Sequence, residues 1–225
     1  MYLIYHPERK KVPVGKYMIY CDKFGNNEDP YLWNNKFLHS YCHITQMKNE
    51  EGQINFWISG DIYPNFTKLF CDCVFVIKEK LYWSNSNRIS KTDSIVDNIR
   101  TFDYHYKWVN PPFNAHHFTK RRRYTLKADA IKSFQPQNSR GELIDILPFL
   151  NKSGISTDEL INTITSKRGS HPTRLENNIG LKLYDFLLQS ASIKLYGKQI
   201  ANLFQYISDN RNNQSNCKKK YSQTC

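Results

Sequence analysis

Glycine is scarce in this chain, with nine among 225 residues. Folds that wrap phosphate in glycine-rich loops need backbone freedom at fixed positions, so such loops are disfavoured here. Long apolar runs are missing too. None approaches the ~20 residues that cross a bilayer as a helix. The first residues, MYLIYHPERKK, hold no apolar stretch of signal-peptide length. The paired Cys-x-x-Cys spacing of structural zinc is absent. No internal repeat is visible. These absences lead to the expectation of a cytoplasmic protein without membrane contact, whose six cysteines (Cys21, Cys42, Cys71, Cys73, Cys217 and Cys225) stay reduced.

What is present suffices for a core. The chain is 40% hydrophobic and 14% aromatic, with 15 Tyr and 13 Phe. Its length suits one large domain, or one domain with a small helical lobe. The net charge is +12, from 32 basic and 20 acidic residues. That balance suits a polyanionic partner.

The charge is also clustered. The segment from His116 to Gln137, HHFTKRRRYTLKADAIKSFQPQ, sets six cations against one acid, Asp129. Within it RRRYTLKA reads as a strand. Alternation places Arg121, Arg123, Thr125 and Lys127 on one face, and Arg122, Tyr124, Leu126 and Ala128 on the other. Guanidinium forks match phosphate oxygens in pairs. The preferred reading is therefore recognition of nucleic acid or a nucleotide, in a modification or processing role. Arg121, Arg123 and Lys127 would hold phosphate. Tyr124, Phe134 or Trp108 would contact a base, and Gln135 and Gln137 would offer amides to base edges.

Two other readings compete. His43-Ile44-Thr45 and His117-Phe118-Thr119 have the form His-x-Thr, as does His171-Pro172-Thr173. Two such motifs on paired strands resemble the two-histidine phosphoesterases. The resemblance covers these tripeptides alone. It implies an enzyme with His117 and His43 as acid and base on either side of a phosphodiester. The third reading is an interaction module that presents its charged face to an acidic protein.

Metal chemistry has two candidate sets. Cys71-Asp72-Cys73 in a strand would aim both sulfurs one way, toward Zn²⁺ shared with Cys42, His43 or Cys21. Asp103, Asp129, Glu142 and Asp145 would suit a nuclease-like Mg²⁺ site. Neither spacing is diagnostic, and no cofactor is expected.

Hydrophobic patterning gives the elements. Residues 12–21 read as one strand. Residues 38–47 and 53–60 read as a hairpin through the turn at Asn49–Gly52. LFCDCVFVI, Leu69–Ile77, reads as a central strand buried on both faces, with Cys73 and Phe75 inside. Residues 94–107 suggest a short amphipathic helix. An apolar run at 142–150 ends on Pro148. Ser156 and Glu159 form a capping box that opens a helix with the stripe Leu160, Ile161 and Ile164. A second helix is expected from Arg174 to Tyr196 and a third over 199–208. The first two, with Lys167, Arg168 and Arg174 near their turn, also have the order of a helix-turn-helix. The expected fold is α+β: a mainly antiparallel, curved sheet in a basic domain over 1–150, a helical lobe packed on it over 151–208, and a disordered basic tail over 209–225.

Overall fold

The computed structural model describes residues 1–5, 9–22, 49–82, 124–166 and 172–196. The expected strand at 38–47, the helices at 94–107 and 199–208, and the tail lie outside these residues. In chain order the elements are β1 (Tyr2–Tyr5), β2 (Arg9–Val14), β3 (Tyr17–Asp22), β4 (Ile54–Gly60), β5 (Leu69–Tyr82), β6 (Tyr124–Ala128), β7 (Phe134–Gln137) and β8 (Ile144–Asp145). They continue with α1 (Leu147–Lys152), α2 (Thr157–Ser166), β9 (Thr173–Arg174), α3 (Asn177–Ser190) and β10 (Ile193–Tyr196).

Eight strands form one sheet in the order β10-β7-β5-β4-β1-β9, with β6 and β8 also paired to β5. The class is α+β as expected, but the sheet is mixed. β1 runs parallel to β4, and its other pairings are antiparallel. LFCDCVFVI is its centre, as the unbroken apolar run required. It opens β5, which has β4 along one edge and β8, β7 and β6 in succession along the other. Cys73 and Phe75 are both buried.

Strand alternation divides the interior in two. On one face Leu3, Phe56, Val74 and Phe134 pack with Leu150, Leu160, Ile164, Leu183 and Leu187 of the three helices. On the other face Trp57 meets Phe75 edge-on at 5.7 Å between ring centroids. Each such side chain, once buried, contributes about 1.5–3 kcal/mol.

The segment expected as a helical lobe packed on the sheet also contributes two strands to it. β9 pairs with β1 at one edge and β10 with β7 at the other. The capping box forms in part: the Glu159 N–H donates to Ser156 Oγ at 3.3 Å at the start of α2. Three boundaries differ from expectation, each for a local reason. Residues 12–21 are not one strand, because Gly15, at φ 59°, turns the chain between β2 and β3. Pro148 starts a helix rather than ending a run; it occupies the first turn of α1, where its missing N–H has no partner to lose. The long second helix stops at Ser190. Ala191 is extended, and Ile193–Tyr196 takes the open edge of β7 instead.

Candidate functional site

The polar heart of the molecule grows from an irregularity in β5. Trp57 pairs with Cys73 but its neighbour Ile58 pairs with Cys71, so Asp72 is an extra residue with no opposite number on β4. Such a bulge re-aims the side chain it inserts. It also decides the cysteines. Trp57 and Ile58 point to opposite faces, so their partners Cys73 and Cys71 do too. The expectation that both sulfurs face one way is corrected by the bulge. Among the described residues no three metal-ligating side chains come together. Burial first, then the Asp72 and Cys73 charges, push the Cys71 thiol well above its usual value, which keeps it a neutral core group.

Asp72 is held from two elements. Arg9 Nε on β2 donates to Asp72 Oδ2 at 2.9 Å, and Ser59 Oγ on β4 donates to Asp72 Oδ1 at 2.8 Å. The side chains of Arg9 and Asp72 are only 6% and 3% exposed, so this is an interior ion pair. A serine beside a carboxylate suggests a nucleophile and its base. Ser59 is only 4% exposed, however, and its hydroxyl proton is already donated to a carboxylate that also pairs with a guanidinium. The arrangement is a clamp, not a reaction centre.

Gln135 and Gln137 extend the clamp to the hairpin formed by β2 and β3. Gln135 Oε1 accepts the Tyr20 N–H at 2.8 Å, while its Nε2 donates to the carbonyls of Tyr20 and Asp72, both at 2.9 Å. One side-chain amide thus pairs with both outward backbone groups of Tyr20, as a neighbouring strand would. Gln137 Nε2 donates to the Met18 carbonyl at 2.8 Å and to Gln135 Oε1 at 3.1 Å. A two-stranded hairpin alone is marginal in water. Here side chains from the main sheet hold its free edge.

The opposite face of the hairpin is basic and aromatic. The register sets Lys11 across from Tyr20 and Pro13 across from Met18. Lys11 Nζ stands 5.7 Å from the centre of the Tyr20 ring, whereas Tyr17, with Lys16 Nζ 5.4 Å from its ring centre, falls by alternation on the face of Ile19. Tyr20 Oη donates to the Gly141 carbonyl at 3.2 Å, bringing the turn that carries exposed Arg140 beside the ring.

The sequence-derived candidates divide into three groups. Arg121, Arg123, Trp108, His43 and His117 lie outside the described residues, as do the other five histidines and Asp103. Tyr124 and Lys127 lie on β6, where they pair with Tyr82 and Glu79. Leu126 and Ala128 of the same strand are buried, as the alternation required. Phe134, Gln135 and Gln137 are interior: Phe134 is fully buried beside Tyr184 and Tyr196, and both glutamine amides are engaged by the hairpin. Of the proposed magnesium carboxylates, Asp129 Oδ1 accepts from the backbone at Ile131 and Lys132, and Asp145 Oδ1 from Leu69 and Leu147. Each shapes a turn or junction of the chain. Sequence reasoning missed Arg9, Ser59 and Asp72. The signal for Asp72 was present, since a carboxylate inside an apolar strand needs a buried partner.

Comparisons with family models, curated proteins and solved structures returned no match to this chain.

Proposed function

We propose that this protein binds nucleic acid or a nucleotide through the basic tract that leads into β6. The carrying observation is the charge of that tract, six cations against one acid over residues 116–137, within a chain of net charge +12. Arg121, Arg123 and Lys127 serve as phosphate ligands, with Tyr124 or Trp108 against a base. Phe134, Gln135 and Gln137 are interior, and both amides are engaged by the β2–β3 hairpin, so the reading rests on the other residues. Support comes also from β6, whose buried Leu126 and Ala128 fix the end of the tract to the edge of β5. Tract and sheet are continuous chain, so Arg123 is one residue from a fixed strand.

The test is a binding titration with a labelled oligonucleotide at low and physiological salt. Neutralised phosphates release counterions, so affinity should fall steeply as salt rises. Alternation predicts unequal arginines. Arg121→Ala and Arg123→Ala should each weaken binding about tenfold or more, since charge-assisted contacts are worth roughly 1.5–3 kcal/mol. Arg122→Ala, on the face shared with Leu126, should lower the melting temperature more than the affinity. No binding even at low salt removes the reading. Equal small losses for all three arginines remove the strand-face assignment.

A further inference from the structure

We infer that the outer face of the β2–β3 hairpin is a second nucleic-acid contact, one that takes a single strand with a base on Tyr20 and phosphates on Lys11 and Arg140. The inference rests on the nucleic-acid reading above but uses side chains that lie outside the basic tract. Three observations carry it. Lys11 and Arg140 are both exposed, and one carboxylate on the Arg140 turn, Glu142, accepts from Asn138 at 2.9 Å. Tyr20 is the aromatic centre of this surface, with Lys11 over its ring and the Arg140 turn at its hydroxyl. The backbone beneath is fixed by Gln135 and Gln137, so the ring stands on an ordered platform.

The chemistry favours a single strand over a duplex. A free two-stranded ribbon can enter the major groove. This ribbon cannot, because Ile19 is fully buried on one side and the edge of β3 is bonded to β7. What remains open is one face with an aromatic ring and flanking cations, the combination that stacks an unpaired base and holds its phosphates. The Lys11 ammonium over the Tyr20 ring is a weak contact at an exposed site. A base replaces it on the ring while the ammonium swings to the adjoining phosphate, and the two exchanges help each other.

The experiment uses the full chain and a fluorescent 12-nucleotide oligothymidylate, with an abasic strand of equal length as the second probe. The paired substitution Lys11→Ala with Arg140→Ala should weaken binding tenfold or more at low salt. It should also reduce the slope of log affinity against log salt by about 1.4, the value for two phosphates of a single strand. Tyr20→Leu should weaken binding several-fold, while Tyr20→Phe, which loses the same bond to Gly141 but keeps the ring, should retain most of the affinity. The abasic strand should bind more weakly than oligothymidylate. Unchanged affinity in the Lys11/Arg140 variant overturns the inference, and so does equal affinity for the two probes. A polyglutamate peptide of matched charge that competes as well as the oligonucleotide also overturns it. Loss on Arg121→Ala with Arg123→Ala but not on the hairpin substitutions leaves the basic tract standing and removes the hairpin. The reverse pattern keeps the hairpin and removes the tract. No binding by the parent removes both.

Discussion

Asp72 shows how much one inserted residue can organise. The bulge that aims it inward also separates Cys71 from Cys73 and leaves the Asp72 carbonyl for Gln135. Two charges taken out of water need each other, and removing one partner strands the other. Asp72→Ala should therefore destabilise the fold by about 3–5 kcal/mol, read as a lowered urea midpoint with an unchanged slope. Removing Arg9 as well, as Arg9→Met with Asp72→Leu, should recover much of that loss, because no unpaired charge remains. A double variant as unstable as the sum of the singles would show that the two side chains act separately. From sequence the anomaly was legible and the solution was not. Arg9 lies 63 residues away, and no local pattern links it to Asp72. Gln135 and Gln137 show how one residue pattern admits two uses. Two amides beside a basic tract read as a base-recognition pair, yet amides serve equally well against a backbone edge, and strand alternation aimed both at the hairpin.

At the scale of elements, hydrophobic pattern located β5, β4, the buried side of β6 and the start of α2, because each depends on its own residues. The ends of elements were less legible. β10 is a strand because β7 offers an edge, and nothing within ASIKLYG distinguishes it from the last turn of a helix. The loop between β4 and β5 gives an element-scale test. Asp61 accepts from the backbone N–H groups of Thr67 at 2.9 Å and Lys68 at 3.1 Å, and from the Thr67 hydroxyl. Desolvation raises the Asp61 carboxyl, but these bonds outweigh it and bring it from 3.8 to about 2. A carboxyl depressed by folding contributes stability above its unfolded value, and that contribution is lost as pH falls through the folded value. The melting difference between the parent and Asp61→Asn should thus be small but constant above pH ~4 and shrink toward pH ~2. A difference that persists below pH ~2 would assign the effect to geometry rather than charge. Beside it, a Cβ on Gly60 would sit 2.0 Å from the ring of buried Phe66. That overlap involves a packed ring rather than a flexible tip, so Gly60→Ala should lower stability by about 1–3 kcal/mol in thermal melts.

For the whole molecule, the sequence changes character near residue 150, and the buried core draws on residues from both sides of that point. Composition changes there, from strand-rich to helical, and that change is real. It marks a change of layer rather than the end of a core. One face of the sheet is covered by helices that follow the division, with Leu160, Ile164, Leu183 and Leu187 all buried against strands that precede it. Exposing four such side chains forfeits roughly 6–12 kcal/mol at about 1.5–3 kcal/mol each. A domain of this kind has only about 5–15 kcal/mol in total. The loss of β9 and β10 also opens the β1 and β7 edges, each a row of unpaired backbone groups. A fragment of residues 1–150 should therefore not fold by itself. Its far-ultraviolet circular dichroism in urea should show no cooperative transition, and its amides at Val74 and Val76 should exchange rapidly. In the full chain those amides belong to β5, and Val76 N–H is further held by Ser133 Oγ at 2.9 Å, so they should rank among the slowest. A cooperative transition in the fragment, with Val74 and Val76 protected, would mean that the strands preceding residue 150 hold their own core and the helices merely dock upon it.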